Sequence, residues 1–285
     1  MGGEYPVRIY TRAGDMSFEL MTFPDGQPHF RLITDPEDDS FSEATIETAI
    51  RNPTELFNVL LAQQVLDDLG YTVDLDIRYL MGARMDRAID DFQPNTLEVV
   101  ARQLLADTLA FRNIRVLDCH SKVGTAACYA KNVLPTGVVQ EVLKSLPTIQ
   151  RIIIPDKGAV DRVKYLTNEY CVRYGMAWAE CSKHRDMQTG KLTGFKVDFP
   201  DLVKNQECLI VDDICDGGGT FVGLAGKLRE AGATRISLFV THGIFSKGLP
   251  LAGIDRIFCT DSYTKWANMS LKTLTVIPIS MKEIR

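Results

Sequence analysis

The chain has 285 residues, of which 45% are hydrophobic and 24% charged, and its formal net charge is −5. This length accommodates two domains of ordinary size, and the composition is that of a soluble globular protein. The negative charge argues against a nucleic-acid-binding surface, and no apolar run reaches the length of a membrane span. Residues 1–15 lack the apolar stretch of a signal peptide, and the seven cysteines occur singly. We therefore expect reduced thiols in a cytoplasmic protein that does not contact membranes.

The first half of the chain alternates between strand and helix patterns. Strands are predicted at 7–10, 18–22, 31–34, 73–79 and 115–117. Helices are predicted at 53–70 and 96–108, the first because Leu56, Val59 and Leu66 share one face between Pro53 and Gly70.

The same alternation restarts beyond residue 147. Strands are predicted at 151–154, 177–180, 208–211, 236–241 and 274–277, and helices at 161–174 and 221–231. The polar stretch 183–194 is predicted to be a mobile loop that closes on substrate. We therefore predict an α/β protein with mostly parallel sheets flanked by helices, divided into domains 1–146 and 147–285.

The stretch 208–220, Cys-Leu-Ile-Val-Asp-Asp-Ile-Cys-Asp-Gly-Gly-Gly-Thr, combines a buried strand, an acid pair and a glycine loop. A glycine loop at a helix N-terminus binds phosphate through free backbone N–H groups. Adjacent carboxylates at a strand end are stabilised by ribose hydroxyls or by a hard cation. The residues expected to bind a sugar phosphate are Asp212, Asp213, Asp216, Gly217, Gly218, Gly219 and Thr220. A solvated turn between strand and helix is the alternative.

Other charged residues follow predicted strands in the same way. Arg84, Arg87, His120 and Asp156 each lie just beyond the carboxyl end of a strand. Ligands of open parallel sheets bind at such ends, so this placement favours a functional role over scattered surface charge.

The stretch 208–220 resembles the phosphoribosyl-diphosphate (PRPP) signature shared by type I phosphoribosyltransferases and ribose-phosphate pyrophosphokinases. Other stretches resemble the pyrophosphokinases in particular. They are Phe23-Pro-Asp-Gly-Gln27, Arg78-Tyr-Leu-Met-Gly-Ala-Arg-Met-Asp-Arg87, Asp118-Cys-His120, Pro155-Asp-Lys-Gly-Ala-Val160, Ser182-Lys-His-Arg185 and Thr241-His-Gly-Ile-Phe-Ser-Lys-Gly248.

The resemblance implies two tandem phosphoribosyltransferase-like domains and a role for each stretch. It implies a Mg²⁺-dependent transfer of the β,γ-diphosphate of ATP to the C1 hydroxyl of a 5-phosphoribosyl substrate, with release of AMP. It also implies a homodimer or larger assembly, because the turn at 23–27 reaches a neighbouring subunit's adenine pocket in that family. The implied ATP-binding residues are Phe23, Asp25, Gln27, Arg84, Asp86, Arg87 and His120. The implied pyrophosphate loop is Asp156, Lys157 and Gly158, and the implied metal neighbours are His120 and Asp156. The implied catalytic residues are Lys183, Arg185, Asp212 and Asp213.

Three departures from the family pattern leave alternatives open. Gln27 stands where the family usually has Glu, Met85 where it has Gln, and Gly217 where it has Thr. Gly217 suggests more room and one hydrogen-bond donor fewer for a terminal phosphate, so ADP-ribose is an alternative to ribose 5-phosphate as acceptor. A phosphoribosyltransferase that uses PRPP is a second alternative. A nucleotide-binding regulatory homologue without turnover is a third, which the retained acids and the Lys183–Arg185 pair argue against.

Overall fold

The computed structural model describes residues 7–33, 42–88, 90–105, 111–185, 192–263 and 272–284, with the backbone alone at 183–185 and 192–193. The chain forms two compact units. The first unit is Met1–Val133 together with Ser280–Arg285, and the second unit is Leu134–Ile279.

The described residues of the first unit form a five-stranded sheet, a separate two-stranded hairpin and three helices. In chain order they are β1 (Arg8–Tyr10), β2 (Phe18–Thr22), β3 (Pro28–Leu32), β4 (Glu43–Ile50), α1 (Pro53–Asp68), β5 (Thr72–Leu80), α2 (Thr96–Leu104), β6 (Asn113–Leu117), α3 (Lys122–Ala127) and β7 (Lys131–Val133). The sheet order is β1-β4-β5-β6-β7, with β1 antiparallel to β4 and the remaining pairs parallel. Strands β2 and β3 form the hairpin.

Local sequence explains where the helices of this sheet begin. The Asn52 side chain accepts a hydrogen bond from Glu55 N, and Pro53 occupies the first turn of α1. The Asn95 side chain caps α2 in the same way by accepting from Glu98 N. A side-chain oxygen at this position satisfies one of the unpaired N–H groups of a helix start.

The described residues of the second unit form a seven-stranded sheet with helices on both faces. In chain order they are α4 (Thr136–Ser145), β8 (Arg151–Ile154), α5 (Val160–Tyr174), β9 (Ala177–Arg185), β10 (Leu192–Val197), β11 (Glu207–Cys215), α6 (Gly219–Glu230), β12 (Arg235–Gly243), β13 (Arg256–Thr260) and β14 (Leu274–Ile277). The sheet order is β10-β9-β8-β11-β12-β13-β14, and only the β10–β9 pair of these described strands is antiparallel.

Successive residues of the central strand β11 enter two separate hydrophobic clusters. Ile210 packs with Leu224 of α6, whereas Leu209 and Val211 pack with Leu166 of α5. Side chains alternate between the two faces of a strand, so a sheet covered by helices on both sides needs apolar residues at consecutive positions. This is why 208–211 is a continuous apolar run.

The last described residues of the chain return to the first unit. Arg115 donates to Met281 O at 3.0 Å and to Ile284 O at 3.2 Å, and Met281 N donates to Glu47 Oε1 at 3.3 Å. The Met281 side chain is completely buried. The first unit is therefore closed by residues that follow the second unit in sequence.

The predicted fold class, α/β with mostly parallel sheets flanked by helices, is confirmed. Strand β11 is longer than predicted, since Asp212 and Ile214 still pair with β12. The stretch 183–194, predicted as a loop, contributes 183–185 and 192–194 to the antiparallel pair β9–β10, and its remaining residues lie outside the described part. The sequence did not predict β4, β7, β10, β13, α3 or α4.

The structure divides the chain between Val133 and Leu134, ahead of the predicted boundary at residue 146. The reason is packing of α4, because Val139, Val142 and Leu143 belong to the same hydrophobic cluster as Ile152 of β8 and Leu166 of α5.

Candidate active site

The acid pair lies within β11 and is neutralised by an arginine from the neighbouring helix α5. The Arg162 guanidinium contacts Asp212 Oδ1 through Nη2 and Asp213 Oδ2 through Nη1, the second at 3.1 Å. The three side chains are only 15%, 13% and 4% exposed, respectively. A buried carboxylate requires a partner of opposite charge, and one guanidinium serves both acids here.

Burial raises the pKa of Asp212. Desolvation and the adjacent Asp213 charge raise the pKa of Asp212 to about 7, although Arg162 acts in the opposite direction. Two neighbouring carboxylates resist simultaneous ionisation, so the pair is suited to accept hydrogen bonds or to meet a further cation.

The glycine loop (residues 216–220) follows β11 and leads into α6. Gly218 has a φ of 74°, a left-handed conformation that favours glycine, and a Cβ there would come within 2.4 Å of Leu251 Cδ2. Helix α6 begins at Gly219 without a side-chain cap, and Val222 N donates to Gly218 O at 3.0 Å. The first N–H groups of α6 therefore remain for a ligand, as phosphate binding requires.

The predicted pyrophosphate loop lies beyond β8, the strand next to β11. Asp156 Oδ1 accepts from Gly158 N at 2.9 Å and from Ala159 N at 3.2 Å. This carboxylate therefore orders the short 3₁₀ turn Lys157–Ala159 that leads into α5. Strands β8 and β11 are parallel neighbours, so Asp156 lies at the same edge of the sheet as the acid pair.

Lys183 and Arg185 lie in the last part of β9. Lys183 pairs in register with Phe195, and Arg185 with Leu192. Because β8 pairs with β9 only as far as Glu180, this part of β9 continues beyond the edge where β8 ends. The backbone thus brings both residues past the same edge of the sheet.

In the first unit, the predicted ATP-binding residues lie beyond two neighbouring parallel strands. Arg84 and Arg87 are exposed in the segment after β5, and His120 is exposed after β6. The segment after β5 approaches α2 closely at Gly82, where a Cβ would lie 3.3 Å from the Leu97 backbone.

Asp86 and the end of β6 are held by backbone contacts. Asp86 O accepts from the Asn95 side chain at 3.4 Å. Asp118 has a φ of 38°, an uncommon conformation for a residue with a Cβ, and its N–H donates to Val133 O at 2.8 Å. This sharp turn separates His120 from the buried strand β6.

The turn at 23–27 joins β2 to β3 at the tip of the hairpin. Phe23 N donates to Gln27 O at 2.8 Å, and Asp25 Oδ1 accepts from Gln27 N at 3.1 Å. Phe23 is 47% exposed, and its ring centroid lies 5.7 Å from that of His29. The hairpin therefore presents an ordered aromatic turn to solvent.

Each unit thus collects its own predicted residues at the carboxyl edge of its sheet, apart from the hairpin turn. Arg162, which contacts both acids, was not singled out by the sequence analysis. A signal for it existed, because a buried acid pair needs a cation and Arg162 lies in the first turn of the helix that follows the neighbouring strand.

Within the described residues, no group of three or more His, Cys, Asp or Glu side chains is arranged to bind a metal together. The described helices also include none that is long and apolar enough to span a membrane. All seven cysteines are buried and free of disulfides.

Two mostly parallel α/β units, with an acid pair near the carboxyl end of one central strand, form a fold that a solved phosphoribosyl-diphosphate synthetase shares. The solved phosphoribosylpyrophosphate synthetase of Mycobacterium smegmatis has this fold, with a TM-score of 0.75 at 20% identity over 93% of this chain and 86% of that one. The ribose-phosphate pyrophosphokinase of Mycoplasmopsis pulmonis is 30% identical over 75% of this chain and 68% of that protein. The chain belongs to the ribose-phosphate pyrophosphokinase family.

A further relative matches almost the whole chain. The ribose-phosphate pyrophosphokinase of Thermococcus kodakarensis is 28% identical over 94% of this chain and 91% of that protein. No family model matches the chain.

Proposed function

We propose that this protein transfers the β,γ-diphosphate of ATP to the C1 hydroxyl of ribose 5-phosphate and releases AMP. The observation that carries the proposal is the juxtaposition of the acid pair with the glycine loop at the uncapped start of α6. The carboxylates accept hydrogen bonds from the ribose hydroxyls, and the loop N–H groups bind the 5-phosphate.

The reaction forms a bond from the C1 hydroxyl oxygen to the β-phosphorus and breaks the bond from that phosphorus to the oxygen bridging it to the α-phosphate. The released AMP keeps the bridging oxygen, and the hydroxyl proton leaves to solvent. Negative charge develops on the phosphoryl oxygens, so catalysis depends on positioning and on cations. In this proposal Lys183 and Arg185 supply cations for the transferred group, as the family resemblance implies.

ATP binding is proposed for the strand-end residues of the first unit. Arginine offers a planar, permanently charged fork that suits phosphate oxygens. The proposed ATP ligands are Arg84, Asp86, Arg87 and His120, together with Phe23, Asp25 and Gln27 from the hairpin turn of a neighbouring subunit. Lys157 and Gly158 follow Asp156 and are proposed to bind the diphosphate.

Magnesium is the proposed metal. Mg²⁺ in nucleotide sites is held by phosphate oxygens, water and few carboxylates. Asp156 has the oxygen donors that this cation prefers, and His120 lies at the corresponding edge of its own unit. When bound, the metal neutralises charge on the transferred diphosphate.

The proposed assembly is a homodimer or larger and is cytoplasmic. The exposed, ordered turn at Phe23 supports an interface, and the free buried cysteines fit a reducing compartment. A fully active monomer on a sizing column would contradict the shared adenine pocket.

Product analysis tests the reaction. Purified protein with ATP, Mg²⁺ and ribose 5-phosphate should form AMP and a C1-diphosphorylated sugar in equal amounts. ADP with a singly phosphorylated sugar would identify an ordinary kinase instead. Consumption of PRPP with a nucleobase would identify a phosphoribosyltransferase, and binding without turnover would identify a regulatory homologue.

Ribose 5-phosphate is proposed over ADP-ribose because the room expected beside Gly217 is occupied. A Cβ on Gly217 would lie 3.2 Å from Lys247 Cδ and Cε. Equal concentrations of both acceptors with limiting ATP should therefore yield PRPP in excess, as measured by mass spectrometry. A product mixture dominated by diphosphorylated ADP-ribose would overturn this choice of acceptor.

A further inference from the structure

Lys247 lies against the glycine loop in a rigid turn. The turn comprises Phe245–Gly248, and Gly248 N donates to Phe245 O at 2.8 Å. Ile244 N and Phe245 N both donate to Cys215 O, at 2.9 and 3.1 Å, at the end of β11. Hydrogen bonds at both sides of the turn therefore fix its backbone directly beside the loop.

Two side chains of this turn reinforce the contact. Ser246 Oγ donates to Asp216 Oδ1 at 2.5 Å, at the first position of the glycine loop. Phe245 is buried, with only 2% of its surface exposed. With Phe245 buried and Ser246 bound to Asp216, the next residue, Lys247, is presented to the loop.

The methylenes of Lys247 cover Gly217. From the position of a Cβ on Gly217, the distances to Lys247 Cγ, Cδ and Cε are 3.4, 3.2 and 3.2 Å. A threonine at position 217 would therefore displace this side chain. The ammonium is one bond beyond Cε, and Lys247 is exposed and therefore accessible to a ligand.

We propose that Lys247 is a specificity-determining residue whose ammonium binds the acceptor phosphate held by the glycine loop. It replaces, as a cation, the hydroxyl that a threonine at position 217 would supply. The proposal rests on the proposed function, since it assigns a ligand to the same loop. A mobile ammonium suits a terminal phosphate, which carries its charge on three oxygens.

The first test replaces the charge and keeps the apolar contact. Lys247→Met should raise KM for ribose 5-phosphate about 10- to 100-fold, the range of a hydrogen bond to a charged group. KM for ATP and kcat should stay within about twofold, and Lys247→Arg should restore most of the affinity. An unchanged KM for ribose 5-phosphate in Lys247→Met would overturn the proposal. So would a loss of kcat together with a loss of thermal stability, because both would indicate a structural role.

The chain offers a matched control at the other end of α6. Lys204 Cγ lies 3.3 Å from the position of a Cβ on Gly232, which follows α6 in sequence. Lys204→Met therefore removes an exposed lysine that packs on a glycine, but away from the glycine loop. Its KM for ribose 5-phosphate should equal that of the unmodified enzyme, and a comparable rise would show a general charge effect.

Ionic strength and a swap of residues complete the design. Added salt should raise KM for ribose 5-phosphate in the unmodified enzyme and in Lys204→Met, but much less in Lys247→Met, because salt screens the charge of the Lys247 ammonium.

Gly217→Thr should weaken binding of ribose 5-phosphate, and Gly217→Thr with Lys247→Gly should recover the affinity to within about threefold of the unmodified value. If the double variant binds ribose 5-phosphate no better than Gly217→Thr does, Lys247 does not replace the threonine hydroxyl.

The two proposals fail separately. If the unmodified protein forms no AMP, the proposed function fails. If the unmodified protein forms AMP and all variants share its KM, the reaction stands and the role of Lys247 fails.

Discussion

Arg162 carries the only positive charge that the described structure shows in ion-pair contact with both Asp212 and Asp213. Without it, the two buried carboxylates would either have to be protonated or remain charged without a compensating cation, and a buried uncompensated charge has a high free-energy cost. The arginine compensates the charge of both acids, and the parallel pairing of β8 with β11 brings α5, which follows β8, to this position.

We predict that Arg162→Met destabilises the protein by about 3–5 kcal/mol, the range for breaking one side of a buried ion pair. Arg173→Met is the control, because Arg173 lies on the same helix and pairs with Glu169 at 3.8 Å with both side chains about two-thirds exposed. That exposed pair should contribute less than about 1 kcal/mol. Urea unfolding monitored by circular dichroism measures both values.

A double variant separates charge from packing. Arg162→Met combined with Asp212→Asn should recover part of the lost free energy of unfolding, because one of the uncompensated charges is gone. Equal unfolding free energies for Arg162→Met and Arg173→Met would show that the buried pair does not stabilise the fold.

At the scale of single residues, the sequence predicted that the acids and glycines lie together, as they do at β11 and the start of α6, but it indicated neither Arg162 nor the contact of Lys247 with Gly217. The acids and glycines lie within one short stretch, so spacing along the chain was sufficient. Arg162 precedes Asp212 by 50 positions, and only the parallel pairing of β8 with β11 brings them together. A contact of that kind depends on sheet order, which periodicity does not specify.

At the scale of elements, both ends of the predicted mobile loop 183–194 belong to the antiparallel ribbon β9–β10, and the residues between them lie outside the described part. Lys183 pairs in register with Phe195 of β10, and Arg185 with Leu192. This pairing fixes the backbone at both residues.

We predict that Lys183→Ala and Arg185→Ala each lower kcat about 100-fold or more, as expected for groups that stabilise transition-state charge. KM for ATP should change little. Lys196→Ala is the control, because Lys196 lies on β10 of the same ribbon and pairs in register with Ser182. Steady-state kinetics with AMP detection measures these constants, and a rise in KM with kcat preserved would show simple binding.

The prediction of elements succeeded where apolar periodicity was clear. Helices α1 and α5 match the predicted ranges closely, and strand β8 matches at both ends. Strand β4 was missed because Glu47 and Thr48 interrupt its pattern, although both are buried. The buried Glu47 is stabilised by Met281 N, a partner that no local pattern reveals.

At the scale of the whole molecule, the first unit includes residues from both ends of the sequence. We predict that deleting residues 280–285 lowers its unfolding free energy by about 3 kcal/mol or more, because a buried methionine and two hydrogen bonds to Arg115 are lost. Deleting only 282–285 retains Met281 and should cost less. Differential scanning calorimetry compares the two deletions. An unchanged unfolding transition of the first unit in the longer deletion would show that residues 280–285 do not stabilise that unit.

The return of the chain to the first unit also sets an order of events during synthesis. A ribosome produces the whole second unit before Met281 emerges, so Glu47 and Arg115 wait for their main-chain partners throughout that interval. We expect the nascent first unit to remain open to proteases and chaperones until residues 281–284 have left the ribosome. The unit that is made first is thus the last to be completed.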